Sequence, residues 1–149
     1  MLLRWLLAAT HLLALGIGLG SVWARARLLG GATLDGVTLR RALTADAWWA
    51  VAAVLWFASG LWRLFAGTEK ATAYYLGNHV FWTKMALLAG ILLLELRPIV
   101  TLTAWRRVLA QGQTPDLRAA AGISRTSYLQ AVLVILMVLA ATAMARGLG

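Results

Sequence analysis

The chain has no cysteine, two histidines, two prolines and only five acidic residues among its 149 positions. The absence of cysteine excludes disulfide bonds, thiolate metal sites and cysteine nucleophiles. The sequence also has no phosphate-binding loop, no serine elbow and no dinucleotide fingerprint, which are the motifs of many soluble enzymes. Its chemistry is therefore confined to a few charged or imidazole side chains within a very apolar chain.

Long apolar runs dominate the composition, since 62% of the residues are hydrophobic. Four runs predict membrane-spanning helices over about residues 2–24, 44–66, 78–105 and 125–146, each near the length that crosses a bilayer core. The runs are continuously apolar rather than alternating, which excludes a β-barrel. Because the loops between them are short, we expect residues 1–149 to form one all-α transmembrane domain, a four-helix bundle.

The net charge of +9 would suit a nucleic-acid-binding protein, but the basic residues are distributed as topology signals. They flank the first and third loops, and loops rich in basic residues stay in the cytoplasm. We therefore expect both termini on the outer, periplasmic side of a bacterial inner membrane, and lipid headgroups rather than nucleic acid as partners. The basic residues around these two loops are Arg25, Arg27, Arg40, Arg41, Arg97, Arg106, Arg107, Arg118 and Arg125.

Tryptophans fall near both ends of the predicted spans, as in the aromatic belts of membrane proteins. We expect Trp56, at mid-depth, to pack inside the bundle or against a flat ligand. Gly16 and Gly20 form a small-xxx-small pair that lets helices approach closely, within the bundle or in a homo-oligomer. Pro98 is expected to kink or loosen the third span. The belts are predicted to contain Trp5, Trp62 and Trp82 at the outer end and Trp23, Trp48, Trp49 and Trp105 at the inner end.

Lys84 is the most unusual residue of the chain because it lies within an apolar run. A lysine in the hydrocarbon costs on the order of 3 kcal/mol, so it either snorkels to the headgroups or faces the bundle interior. His11 interrupts the first run at a similar depth. Desolvation favours a neutral amine, and a neutral amine facing an imidazole makes a competent pair of axial ligands for heme iron.

Other ligand pairs remain open, namely His11 with Met144 and His11 with His79. A typical bis-histidine cytochrome site is not available, because the chain does not have mid-span histidines on two facing helices. Arg4 and Arg63, near the outer face, could pair with heme propionates, since guanidinium matches the geometry of a carboxylate.

The acidic residues Glu95 and Asp46 fall near the inner ends of their spans. Charged residues at this depth usually pair, so we expect interhelical ion pairs such as Glu95 with Arg25 or Asp46 with Arg97. Thr44 or Asp46 is the expected N-cap of the second helix.

The segment that contains Lys84 carries a family resemblance. It reads Tyr74-Tyr75-Leu76-x-Asn78-His79-x-Phe81-Trp82-x-Lys84, and a leucine-rich helix and Trp105-Arg106-Arg107 follow it. In this pattern the sequence resembles an uncharacterised family of bacterial membrane proteins, domain of unknown function 2214, from His11 through Arg107. That family usually has proline at the position of His79.

More distantly, the layout is similar to the HemJ-type protoporphyrinogen oxidases and the copper-resistance D membrane proteins. The resemblance to HemJ implies heme b held by His11 and Lys84, and oxidation of protoporphyrinogen IX. The chain departs from HemJ at Leu94-Glu95 and at Thr126-Ser127-Tyr128-Leu129, so the predicted heme ligands match better than their surroundings.

These observations favour a heme b-binding redox protein that transfers electrons or oxidises a quinone or porphyrinogen; as an enzyme it would be a heme-dependent membrane oxidoreductase. One alternative is a non-catalytic assembly factor or subunit, in which His11 and Lys84 satisfy one another or a lipid phosphate. Another is copper handling by His11, Met144 and Met85, since imidazole and thioether ligands suit Cu(I). A transporter is disfavoured because no pair of broken helices marks a midplane site.

Overall fold

The protein is a bundle of four long antiparallel helices. A computed structural model describes residues 1–65 and 77–147, apart from the side chains of Arg63 and Leu64. Within these ranges the helices are long and apolar enough to cross a membrane, which confirms the predicted all-α, membrane-spanning fold. The helices are α1 (Leu2–Leu29), α2 (Gly36–Phe65), α3 (His79–Ala110) and α4 (Ala120–Ala145).

The helices pack in the order α2–α1–α4–α3, and in the described residues α2 and α3 make little backbone contact. Both chain termini lie at one end of the bundle, which we call the terminal end. The α1–α2 and α3–α4 connections lie at the other end, which we call the loop end. The described contacts between α2 and α3 at the loop end are made by side chains, such as Leu39 and Leu102 in one apolar cluster and Asp46 with Arg106.

Helix α2 begins at Gly36, well before the predicted cap at Thr44 or Asp46. The residue that caps it is Asp35, whose Oδ1 accepts a hydrogen bond of 2.7 Å from the backbone N–H of Thr38. Thr44 instead donates its hydroxyl to the carbonyl of Arg40 within the helix. The cap prediction was wrong because the helix begins before the apolar run, with a polar first turn that precedes Thr44.

Two groups of apolar side chains hold the bundle together. One lies at the loop end and includes Leu39, Leu102 and Ile123, each no more than 2% exposed. The other lies at the centre of the bundle, and its buried members are Val22, Trp49, Ile91, Ala131, Val134 and Met137. Toward the terminal end, large apolar residues are widely exposed, as expected for side chains that face lipid: Leu2, Leu3, Trp5, Leu12 and Leu13.

The glycines that permit close helix packing are not the predicted ones. A Cβ at Gly16 or Gly20 would meet nothing within 4 Å, so this pair does not pack against the described part of the bundle. Gly18 packs instead, since a Cβ there would lie 3.4 Å from Ala52. Gly30 ends α1 beside α4, where a Cβ would come within 2.6 Å of the Ser124 hydroxyl.

Five of the seven belt tryptophans are exposed near the helix ends, as the aromatic-belt prediction requires. Trp49 and Trp105 are buried in the bundle, so their assignment to a belt was wrong. The indole of Trp105 donates to the carbonyl of Asp116, which ties α3 to the loop before α4. Pro98 is buried inside α3, which continues through it.

Candidate functional site

The loop-end half of the bundle contains a buried network centred on Arg25, which is 0% exposed. Arginine carries five N–H donors in a rigid fork, and all five donate here. Nε donates to Ser127, one terminal nitrogen to Asp46 and Glu95, and the other to Glu95 and Gln130, over distances of 2.6–2.9 Å. The Glu95 contact is bidentate, the strongest geometry of an arginine–carboxylate pair.

One further residue, Arg106, and a second hydrogen bond of Gln130 complete what we call the Arg25 network. Arg106 donates to the second carboxylate oxygen of Asp46 at 2.7 Å and to the carbonyl of Leu43 at 2.8 Å. The amide nitrogen of Gln130 donates to Glu95 at 2.6 Å. Two arginines therefore face two carboxylates, and their charges cancel. The network consists of Arg25, Asp46, Glu95, Arg106, Ser127 and Gln130, and it joins all four helices.

The predicted pair of Glu95 with Arg25 is thus confirmed, whereas Asp46 pairs with Arg25 and Arg106 rather than with Arg97. Arg97 is exposed and lies against Gly122 of α4. The donors and acceptors of the network bind one another, so the network stabilises the packing of the four helices. Removing one member of such a buried set leaves an uncompensated charge.

A second polar site lies nearer the terminal end, around His11 on α1. The Nδ1 atom of His11 lies 2.9 Å from the hydroxyl of Ser59 on α2. The imidazole also stacks on Trp56, with ring centroids 5.5 Å apart and planes at 29°. His11 also lies beside Gly60 of α2, where a Cβ would be in ordinary van der Waals contact with the imidazole, at 3.5 Å. We call His11, Trp56 and Ser59 the His11 site.

The hydrogen bonds of Ser59 determine which nitrogen of His11 carries the proton. The Ser59 hydroxyl donates back within α2, 2.7 Å from the carbonyl of Leu55 and 3.1 Å from that of Trp56. A hydroxyl has one proton to donate, so toward His11 it acts as acceptor and Nδ1 carries the hydrogen. In the neutral imidazole the lone pair is then on Nε2, the arrangement in which a second residue orients a metal-ligating histidine.

An apolar cavity separates the His11 site from the Arg25 network. It measures about 60 Å³. Its walls come from all four helices, with Trp56 near one end and Glu95 at the other. Among the described residues, the indole Nε1 of Trp56 is buried and has no hydrogen-bond acceptor. An unmade hydrogen bond at a buried donor costs about 1–3 kcal/mol.

The other residues predicted to bind heme lie in the same half of the bundle as His11, toward the terminal end. Lys84 is half-buried on α3, one turn before Leu88, which lines the cavity; residues four apart share a helix face. Arg4 is exposed, about 10 Å along α1 from His11. Met144 is half-buried near the end of α4. The side chain of Arg63 lies outside the described residues.

His79 does not join these residues, because it is exposed as the first residue of α3. The N-cap is Asn78, whose side chain accepts from the backbone N–H groups of Val80 and Phe81. His79 occupies the first helical position, where proline is also favoured. Asn78 and His79 thus form the start of the helix, while Tyr74, Tyr75 and Leu76 lie outside the described residues.

Sequence reasoning missed Ser59, Ser127 and Gln130. Ser59 is a single small polar residue in an apolar run, and nothing in its neighbourhood singles it out. On α4 a signal existed, since Ser124, Ser127 and Gln130 recur at helical spacing on one buried face. A polar stripe along an apolar helix indicates an interior face.

Within the described ranges, no group of three histidine, cysteine or acidic side chains could hold a metal ion. The comparisons with curated proteins and with solved structures find no match. A family model described as a predicted membrane protein, domain of unknown function 2214, matches residues 3–149. The match covers nearly the whole chain and agrees with the four apolar helices. The chain therefore belongs to the domain of unknown function 2214 family of multi-pass membrane proteins.

Proposed function

We propose that the protein is a heme b-binding redox protein whose iron ligand is His11. The observation that supports this is the hydrogen bond from His11 to Ser59, which holds the proton on Nδ1 and leaves the lone pair on Nε2. Ser59 is in turn anchored to the backbone of α2, so the imidazole is oriented through a rigid element. Metal-ligating histidines are commonly oriented in this way.

Lys84 is the proposed second ligand, because it lies in the same half of the bundle and on the face of α3 that borders the cavity. The exposed guanidinium of Arg4 lies on the same face of α1 as His11, where it would pair with a propionate. Arg63 has the same proposed role. Bound heme would supply one-electron transfer; the polypeptide would hold the imidazole tautomer and exclude water with its apolar walls.

We also propose that the terminal end faces the periplasm of a bacterial inner membrane. Arg25 is buried in its network, so it does not count among the exposed basic residues that indicate topology. The loop end still has an excess of exposed basic residues without it. Loops rich in lysine and arginine stay in the cytoplasm. The exposed basic residues at the loop end are Arg27, Arg40, Arg41, Arg97, Arg107, Arg118 and Arg125.

Absorption spectra test the heme proposal directly. Protein purified in mild detergent is titrated with hemin and measured oxidised and after reduction with dithionite. We expect a Soret band and sharp α and β bands on reduction, lost in His11→Ala and kept in His79→Ala, since His79 is exposed. Lys84→Met should alter the spectrum by changing the ligand field.

Two results would contradict the proposal. A spectrum unchanged by hemin rejects heme binding and favours the alternative of a non-catalytic partner subunit. Equal loss of the bands in His11→Ala and His79→Ala would indicate unspecific binding of hemin. An unaltered spectrum in Lys84→Met would reject the lysine as ligand while leaving His11 in place.

A further inference from the structure

Two arginines lie close together on the outer surface of the bundle, where α3 and α4 pack against each other. Arg97 on α3 is exposed, and its guanidinium group lies against α4, 3.7–3.8 Å from the position that a Cβ of Gly122 would take. Arg125 is exposed one turn further along α4, and residues three apart on a helix are neighbours. We call Arg97, Gly122 and Arg125 the Arg97 site.

Neither arginine of the Arg97 site has an acidic partner in residues 1–65 and 77–147. The first turn of α4 contains no acidic residue. Two like charges repel each other, so the pair favours a negatively charged group that lies against both. The acidic side chains of the described ranges bind other groups: Asp35 binds the N–H of Thr38, Asp46 and Glu95 bind within the Arg25 network, and Asp116 binds Arg118.

The surface next to the Arg97 site is apolar and faces lipid. Leu93 lies one turn from Arg97 toward the centre of the bundle and is 68% exposed. Leu129 lies one turn from Arg125 in the same direction and is 48% exposed. Gly122 is in the first turn of α4, a helix long enough to cross the membrane. The Arg97 site therefore lies at the depth of the lipid headgroups, and the exposed leucines extend from it toward the middle of the bilayer.

We infer that the Arg97 site binds the headgroup phosphate of an anionic phospholipid, such as phosphatidylglycerol, in the leaflet at the loop end. Guanidinium groups bind phosphate oxygens through two parallel N–H···O bonds, and basic pockets between transmembrane helices bind acidic headgroups. The acyl chains of this lipid extend over Leu93 and Leu129. A zwitterionic lipid has the same phosphate, but the arginines repel its ammonium group. The site uses no residue of the heme proposal, so the two are independent.

The test is native mass spectrometry of the protein in an uncharged detergent, titrated with dioleoyl-phosphatidylglycerol or with dioleoyl-phosphatidylcholine. We expect the wild type to retain one phosphatidylglycerol more tightly than phosphatidylcholine. Arg97→Gln and Arg125→Gln should each weaken phosphatidylglycerol binding about fivefold, the effect of one arginine near an acidic headgroup. The control, Arg107→Gln, removes the same charge from an exposed position about 15 Å further along α3 and should bind like the wild type.

Equal affinity of the wild type for the two lipids overturns the inference, and this comparison needs no variant. Each variant is first checked for helicity and a single size-exclusion peak. An equal loss in Arg107→Gln would show that net charge alone attracts the lipid, and unchanged binding in Arg97→Gln and Arg125→Gln would show that it binds elsewhere; either result contradicts the inference. Displacement of the lipid by excess glycerol 3-phosphate would make a free phosphate ester the ligand and contradict it as well.

Discussion

The Arg25 network and the His11 site are both polar groups inside an apolar bundle, but they differ in how completely their hydrogen bonds are made. The five donors of Arg25 have acceptors, two carboxylates balance two arginines, and four helices take part. The His11 site joins two helices, borders a cavity and includes the N–H of Trp56, which has no acceptor among the described residues. A network whose donors all have acceptors holds helices together.

The difference is also visible at Glu95, which belongs to the network. Both oxygens of Glu95 accept bonds from Arg25, and Gln130 adds another. Its carboxylate is therefore held inside the network. Four predictions, ordered by the size of the expected effect, test whether the loop end is structural and the terminal end is functional.

Arg25→Ala should have the largest effect. It leaves Glu95 buried with its charge uncompensated and Asp46 paired with Arg106 alone; breaking a buried pair in this way destabilises a protein by about 3–5 kcal/mol. The measurement is unfolding by SDS in mixed micelles, followed by circular dichroism. Arg27→Ala, an exposed change in the last turn of the same helix, is the matched control. Equal effects of the two substitutions would show that the network does not hold the bundle.

Gln130→Leu should come next. Gln130 is 0% exposed and bridges Arg25, Glu95 and the carbonyl of Ile91. Its replacement leaves buried donors and acceptors unsatisfied, at a cost of about 1–3 kcal/mol. The same unfolding assay applies, with Gln113→Leu in the exposed loop as control. A stabilised Gln130→Leu protein would mean that apolar packing outweighs these bonds.

Ser59→Ala should affect ligand binding more than stability. Without the hydroxyl, His11 loses the acceptor that fixes its tautomer, and changes of this kind reduce metal affinity about 10–100-fold. Hemin titration of the purified variant measures the effect, and Ser21→Ala on α1 is the control. Unchanged affinity in Ser59→Ala would remove the observation on which the heme proposal rests.

The smallest effect is expected at Asp35, which caps α2 outside the membrane-spanning part of the chain. The hydrogen bond from the backbone N–H of Thr38 holds the pKa of Asp35 below its ordinary value. A lowered folded-state pKa adds stability above the unfolded value, near 3.9, and this stability is lost as pH falls through the lowered pKa. The melting temperature should thus be flat between pH 7 and 5 and decline below about pH 4.

Two substitutions of Asp35 separate the effect of its capping hydrogen bond from the effect of its negative charge. Asp35→Asn keeps a capping side chain but should lose this part of the pH dependence. Asp35→Ala should lower the melting temperature slightly at neutral pH, because the N–H of Thr38 loses its acceptor. Identical pH profiles in wild type and Asp35→Asn would contradict the assignment.

Some ion pairs between helices were predictable because the sequence offers few possible partners. Glu95 and Asp46 each needed a basic partner inside the bundle, and Arg25 was among the few arginines within reach. The exact partners were not predictable: Asp46 binds Arg106 rather than Arg97, since the rotation of α3 about its axis decides which arginine faces α2. The His11–Ser59 contact likewise depends on how α1 and α2 are aligned, with Gly18 and Gly60 at their contact.

The amino-acid sequence alone determined that four helices form and that they cross a membrane. In a bilayer the backbone must satisfy its own hydrogen bonds, so a continuous apolar run of this length becomes a helix whatever surrounds it. Only the tertiary structure decided which polar side chains meet, because lipid gives apolar helix faces no preference for one another and packing sets the pairing. That choice gives every donor of Arg25 an acceptor and leaves Nε1 of Trp56 without one among the described residues.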